Sequence, residues 1–350
     1  MKKLIKMPSI EQFRNAIHNI TKAARFDGLN EDGVAVYNQN PLPILTATGT
    51  VKLHGTNASV CYNARDGLWV QSKKNIINVE NDNAGFAFFV EVHQDLFKTI
   101  FANIGREHGY TGEDETITIF GEWAGIGIQK GVGVSELEKA VYIFGVKISP
   151  NSEGIDAFWL DQKDIRFPVG PNIYNIIDFK TFNIVIDFNN PLLSNNEMVK
   201  MVQSVEDECP VSKQFGVSGI GEGIVFTVKF KDKTYRWKMK GDKHAGESKV
   251  KTADKVDDAK LQLIIDIVEK VTPEWRLTQM YDETFDVING GCGDIKKTGD
   301  YLRAVIKDIM KEELIVISEA GLAPKDINSS IAKKARSWFM AKLNKEFGIE

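Results

Sequence analysis

Cysteine is scarce in this chain. Its 350 residues hold only three, Cys61, Cys209 and Cys292, with no C-x-x-C pair. An odd, scattered set implies neither a disulfide framework nor a thiolate zinc site, and it fits a reducing compartment. The histidines likewise lack metal-ligand spacing; His18, His93, His108 and His244 read as structural or solvated. Long apolar runs are missing too: none approaches the roughly 18 residues of a membrane span. The opening MKKLIKMPSIEQ carries lysines without the apolar stretch of a signal peptide, so a cytoplasmic location is expected. The glycine-rich loop leading to Gly133 matches neither a P-loop nor G-x-G-x-x-G, which removes the usual phosphate cradles. No internal repeat or low-complexity tract is visible. A formal net charge of -4 argues against indiscriminate binding to polyanions.

That average hides one basic stretch. Between Lys229 and Lys251 nine Lys or Arg stand against the three acids Asp232, Asp242 and Glu247. The surrounding pattern is strand-rich. Leu45–Val51 reads as a strand that delivers Lys52, Gly55 permits a tight turn, and Ala58–Tyr62 resumes the alternation. Further strands are expected at Trp69–Ser72, Thr116–Phe120, Val141–Ile148, Gly223–Phe230 and Tyr235–Lys240. In the last, Tyr235, Trp237 and Met239 fall on one face and Arg236, Lys238 and Lys240 on the other. Ser9 and Gln12 suggest a capping box that opens a helix carrying Ile10, Phe13, Ile17 and Ile20. A single buried-face helix is expected from Phe86 to Ile104. Residues 150–215 give no clear pattern.

After a charged linker near Gly241–Asp258 the stripes are helical: Leu263, Ile264, Ile267, Val268 and Val271; then Tyr301, Val305 and Ile309; then Ile331, Ala335, Trp338 and Phe339. No strand of comparable strength follows Lys240. Two domains are expected, an α+β domain over 1–245 and a helical one over 246–350.

Four stations in the first domain carry chemistry. Lys52 sits in KLHG, Glu122 in FGEWAG, Glu222 in GEGIVF, and Lys238 with Lys240 in RWKMK. A lysine amine that is desolvated or placed beside other cations gives up its proton more readily and can attack phosphorus. A carboxylate at the mouth of an apolar strand can hold a divalent metal or a ribose hydroxyl, and a lysine pair on one strand face can hold phosphates. Nucleotidyl transfer needs these parts. Each station also has a plainer reading. Glu122 could be a turn acid, Asn57 a turn residue, Phe144 a core residue with Tyr142 as its rival, and Lys238 with Lys240 a solvated edge-strand face.

The order KLHGTN, FGEWAG, EGIVF, KMK, followed by a helical tail, resembles the covalent nucleotidyltransferases, the superfamily of RNA ligases, DNA ligases and mRNA capping enzymes. Within it the motifs are most similar to the bacteriophage RNA ligase 2 and kinetoplastid RNA-editing ligase branch. The resemblance implies a nucleotidyltransferase (ATP-grasp-like ligase) domain of antiparallel sheets with flanking helices, followed by an all-α C-terminal domain that engages nucleic acid. It implies ATP as cofactor, with AMP bound covalently to Lys52, and Mg²⁺ or Mn²⁺ held by Glu222. His54 would assist transfer of AMP to RNA, and Asn57 the sealing step. Val51 would offer backbone to the base, Phe144 would stack on adenine, Glu122 would hold the ribose, and Lys238 and Lys240 would bind phosphates. The family's basic residue after the second strand is often arginine. Here Lys73 and Lys74 are the candidates, without arginine's bidentate fork.

The partners implied are RNA ends, in nicked duplex RNA or an RNA/DNA hybrid, acted on by a monomer away from membranes. For a phage-encoded member the location is the host cytoplasm. Rival readings are a DNA ligase or capping-type enzyme, which carry a β-barrel after the last lysine motif, and a non-catalytic RNA-binding scaffold using the basic stretch and Lys333, Lys334 and Arg336.

Overall fold

The computed structural model describes residues 2–31, 33, 35–152, 155–161, 170–244 and 258–346. The fold is α+β, with antiparallel sheets, flanking helices and a helical C-terminal region. The chain divides into two compact units, one of residues 1–20, 44–186 and 197–253, the other of 21–43, 187–196 and 254–350. No helix among the described residues is long and apolar enough to cross a membrane.

In the first unit a four-stranded sheet runs in the order Thr181–Asp187, Ile44–Lys52, Gly223–Phe230, Lys233–Lys240. The last three are antiparallel neighbours, and their register fixes what each face carries. One set of rows is Val51–Ile224–Met239 and Gly49–Phe226–Trp237; it faces a core in which Phe226 stacks on Trp237 and Phe13 lies 5.3 Å from the same indole. Gly49 is required there, because a Cβ would meet Ile224 and Phe226 side chains at 2.8 and 2.9 Å. The other rows are Lys52–Gly223–Lys240, Thr50–Val225–Lys238 and Thr48–Thr227–Arg236. The expected division of Tyr235–Lys240 into an apolar and a cationic face therefore holds.

The second sheet has the order Ile173–Asn175, Ala140–Pro150, Glu115–Ala124, Thr56–Asn63, Gly67–Ser72, Ile76–Ile77, with Phe158–Trp159 also paired to Ala140–Pro150. All these neighbours are antiparallel except Ile173–Asn175, which lies parallel to Ala140–Pro150. Val60, Ile117, Ile119, Val141, Ile143 and Val146 bury one face against helices Phe86–Val92 and Gln94–His108.

Three expectations about boundaries change. The first helix spans Phe13–Arg25, not a stretch from Ser9, because Glu11 is drawn into a parallel bridge with Trp237 and accepts the Lys238 N–H at 3.0 Å. The carbonyl of Gln12 starts the helix instead. The single helix expected from Phe86 to Ile104 is two. The chain breaks at His93, whose ring Nδ1 lies 2.8 Å from the Phe89 carbonyl, and Val92 is left 62% exposed although the pattern put it on the buried stripe. Third, the strand holding Thr116–Phe120 continues through Gly121, Glu122, Trp123 and Ala124, because those residues pair with strands on both sides.

The second unit is dominated by helices Asp258–Val271, Glu274–Phe285, Thr298–Glu312, Leu314–Glu319 and Pro324–Glu346, with a short hairpin of Phe26–Leu29 and Ala35–Tyr37. The sequence stripes supply its core: Val271, Tyr301, Val305, Ile309, Ile331 and Phe339 are each at most 1% exposed. Buried Arg276 ties the helices through Asp308 at 3.2 Å and Glu313 at 2.8 Å. After Lys240 no described residue is in a strand. The linker expected near Gly241–Asp258 lies mostly outside the described residues, as does the basic stretch beyond His244.

Candidate active site

The site lies within the first unit, where rows of the four-stranded sheet meet the face of the second sheet that the helices leave uncovered. Lys52 is the last residue of its strand, paired with Gly223, so Glu222 arrives beside it as the residue just before the next strand. The Lys52 Nζ lies 2.6 Å from Glu222 Oε2, and Lys240 Nζ lies 2.8 Å from Oε1. His54 Nδ1 is 3.5 Å from the same Oε2. The Glu222 side chain is only 2% exposed while the Lys52 and Lys240 side chains are 21% and 36% exposed, so a buried anion is capped by two cations that still reach the opening.

The electrostatics follow from this packing. Burial alone would raise the Glu222 carboxyl, but Lys52 and Lys240 outweigh it and hold it below its ordinary value. His54 is pushed down by desolvation and by Lys52, His244 and Lys240, against the pull of Glu222. Lys238 is also lowered, first by desolvation and then by Lys240, Lys52 and Lys73. Among the described residues Lys238 forms no ion pair. Its row thus presents a partly desolvated cation without an anion.

Glu122 stands across the pocket on the second sheet, paired with Asn57. Its Oε1 accepts the Gly55 N–H at 3.0 Å. Desolvation, with Glu222 adding to it, pushes its carboxyl up to about 7 against the opposing effects of Lys52, the Gly55 N–H and Lys73. Gly55 allows this contact by its closeness: a Cβ there would collide with the Trp123 carbonyl oxygen, and would also meet Ala124 Cβ and Glu122 Cγ, these two at 2.9 Å.

Val51, Lys52, Asn57, Glu122 and Phe144 line one pocket. The pleat turns the Val51 side chain to the core face, where it is 3% exposed, leaving its backbone to the pocket. Phe144 owes its position to a bulge. Gly145 pairs with Phe120 and Ile143 with Gly121, so Phe144 is the extra residue between them and remains half-buried. Tyr142 lines the same pocket but is 1% exposed, with ring contacts to Tyr174 and Phe179. Lys73 and Lys74 are both exposed, and Lys73 acts on Glu122 and Lys238 from the rim.

Two further residues stand at the site without a role expected from the sequence. His244, in a short turn after Lys240, places its ring 5.8 Å from that of His54. Arg236 lines the pocket with its guanidinium 4.1 Å from the Trp159 ring centroid, and burial pushes it down to about 10. Only the alternation within RWKMK pointed to Arg236; nothing in the sequence pointed to His244.

Among the described residues no cluster of three His, Cys, Asp or Glu is arranged to hold a metal ion. Glu222 offers one carboxylate, already shared by two ammoniums. That donor set fits a hard cation completed by substrate phosphates and water, not one caged by protein.

Comparison with known proteins bears on the same region. Three similar solved structures are of Naegleria gruberi RNA ligase: a mutant with AMP and Mn, the ligase with PPi, and a mutant with ATP and Mn. Each is 14% identical, with TM-scores of 0.42, 0.40 and 0.41. The alignments cover 69%, 69% and 67% of this chain and 57%, 57% and 56% of those, so the chain spans less than two thirds of their length. No curated protein sequence matches. The family model for RNA ligase matches residues 46–240, a span that begins within the Lys52 strand and ends at Lys240. The chain belongs to the RNA ligase family.

Proposed function

We propose that this chain is an ATP-dependent RNA ligase that joins 3′-hydroxyl and 5′-phosphate RNA ends in three steps, in nick sealing or RNA repair. The observation that carries the reading is the contact of Lys52 with Glu222, capped by Lys240, beside a pocket lined by Val51, Asn57, Glu122 and Phe144. In the first step Lys52 Nζ, once it has shed a proton, forms a P–N bond to the α-phosphorus of ATP as the bond to pyrophosphate breaks. The 5′-phosphate of RNA then takes AMP from Lys52, and a 3′-hydroxyl displaces AMP to close the strand. The logic is leaving-group exchange, since a 5′-phosphate is a poor electrophile until AMP is attached.

Each residue has a place in this scheme. Phe144 and the Val51 backbone receive adenine, Glu122 the ribose, and Lys238 and Lys240 the phosphates, where fixed cations stabilise developing charge without reorganisation. His54 assists transfer to RNA and Asn57 the sealing step. Lys73 takes the family's basic position. Glu222 orients Lys52 and would share a Mg²⁺ or Mn²⁺ with the ATP phosphates. Such an ion, when bound, supplies charge neutralisation at the transferring phosphoryl group. Residues 1–245 act as the adenylyltransferase domain, and 246–350 engage the nucleic acid. All regular elements among the described residues after Lys240 are helical, which favours this branch over relatives with a β-barrel there.

The test is joining of a nicked duplex with ATP, comparing RNA and DNA on the 3′-hydroxyl side. Sealing with RNA there is expected, in RNA duplexes or RNA/DNA hybrids. Sealing with DNA alone would reassign the enzyme, and RNA binding without ATP-dependent joining would make it a scaffold.

A further inference from the structure

The pocket continues past the residues that the proposed reaction uses. Four strand positions beyond Lys52 the site face ends in the row Thr48, Thr227, Arg236, about 13 Å away at the rise of a strand. Thr227 and Arg236 both line the pocket. Thr227 Oγ1 is buried with no hydrogen-bond partner, and among the described residues the guanidinium of Arg236 touches the Trp159 ring and pairs with no carboxylate.

A purely packing role accounts for the contact of Arg236 with Trp159 but not for its position. Stacking uses the face of a guanidinium and leaves its in-plane N–H groups available. Those groups only donate, whereas the neighbouring hydroxyl can accept. A donor beside an acceptor matches one edge of adenine, where the ring nitrogen N1 accepts and the 6-amino group donates. The apolar walls at this end include Phe144, Ile176 and Val225, which suit the ring faces.

We propose that Arg236 and Thr227 read the base: Arg236 donates to N1 of adenine, and Thr227 Oγ1 accepts from the 6-amino group. The assignment rests on the reading of this pocket as the ATP site, and it makes these two residues determinants of nucleotide choice. It also explains why a charged side chain lies in a pocket wall with no protein anion to balance it.

The experiment measures formation of the protein–nucleotide adduct with ATP, with purine riboside triphosphate, which lacks the 6-amino group, and with 1-deaza-ATP. Wild-type protein should favour ATP over purine riboside triphosphate by about tenfold, the usual scale for one buried hydrogen bond. Thr227→Val should bring that ratio to about one. Arg236→Met should raise the KM for ATP by about tenfold and react with 1-deaza-ATP as wild type does. Arg236→Lys, a variant that keeps the charge, should recover part of the loss and serves if the methionine variant does not fold, as judged by thermal melting. An unchanged ratio in Thr227→Val, or a wild-type KM in either Arg236 variant, would overturn the proposal while leaving the ligase reading intact. If wild-type protein forms no adduct with any nucleotide, the ligase reading fails and the base assignment fails with it.

Discussion

The amine of Lys52 lies 2.6 Å from one carboxylate oxygen of Glu222, and the other oxygen is held by Lys240. Two cations and one anion at the pocket mouth leave a net positive charge, and Lys238 adds to it. An incoming triphosphate therefore meets attraction there, and Lys52 is held in one orientation before it arrives.

Glu222→Gln should separate the structural and chemical parts of this arrangement. The amide retains the shape but not the charge, so adduct formation with ATP should fall by about 10²–10³, the scale for removing one oriented electrostatic group. Stability should fall by only about 1–2 kcal/mol, between an exposed and a buried pair, because water reaches both lysines. The pH response gives a second check. A carboxyl held below its ordinary value contributes stability that is present above that value, about 4.5, and is lost as pH falls through the folded one. Melting curves in acid should drop more steeply for wild type than for Glu222→Gln; parallel curves would contradict the ion pairing.

Glu122 should respond in the opposite sense. Its carboxyl is raised from 4.5 to about 7, so the folded state favours the protonated form. The stabilisation is fully present below about 4.5 and is lost as pH rises through about 7, amounting to about 3 kcal/mol at most. Wild-type melting temperature should decline between these limits while Glu122→Gln stays flatter. The reverse slope would show that desolvation does not dominate at this position.

Phe144 and Tyr142 can be told apart by what their removal costs. Phe144 is half-buried at a bulge, so Phe144→Ala should raise the KM for ATP about tenfold or more, with a modest stability loss. Tyr142 is 1% exposed and packed among aromatic rings, so Tyr142→Ala should cost about 3–5 kcal/mol in denaturant unfolding. Equal effects on KM and stability for both would remove Phe144 from the base-stacking role.

Gly55→Ala tests the link between the turn and Glu122. The added methyl meets the Trp123 carbonyl and Glu122 Cγ, so it should destabilise by about 1–3 kcal/mol. It should also disturb the hydrogen bond to Glu122 and weaken ATP binding. Wild-type stability and affinity together would mean that the turn has room to spare.

Much of this site was legible in the sequence because its charged residues sit at strand ends, where alternation and glycine mark position. Lys52, Glu222 and Lys240 are such residues, and the register Lys52–Gly223–Lys240 brings them together. What stayed hidden depends on pairing between distant segments. The bulge that frees Phe144 has no sequence mark, and the slot that admits Arg236 beside Trp159 exists only once the Phe158–Trp159 strand is laid against Ala140–Pro150. The late start of the first helix has the same cause: local capping signals at Ser9 and Gln12 yield to the pairing of Glu11 with Trp237. Strands such as Thr181–Asp187, buried on alternate residues, fall within 150–215, where the sequence gives no clear pattern. In the helical unit the buried stripes of Asp258–Val271, Thr298–Glu312 and Pro324–Glu346 are readable because their spacing is local, whereas the buried face of Glu274–Phe285, with Leu277, Met280, Tyr281 and Phe285, is not among the expected stripes.

The most direct measurement is covalent labelling at Lys52. Purified protein is incubated with α-labelled ATP and a divalent metal, denatured, and examined for bound label beside Lys52→Ala and a parallel reaction with α-labelled GTP. An acid-labile adduct from ATP, absent in Lys52→Ala and not formed from GTP, is the expected result. Equal labelling of the Lys52→Ala protein, label from GTP alone, or none on wild type with Mg²⁺ or Mn²⁺ would contradict the assignment of Lys52 as the nucleophile of an ATP-dependent ligase.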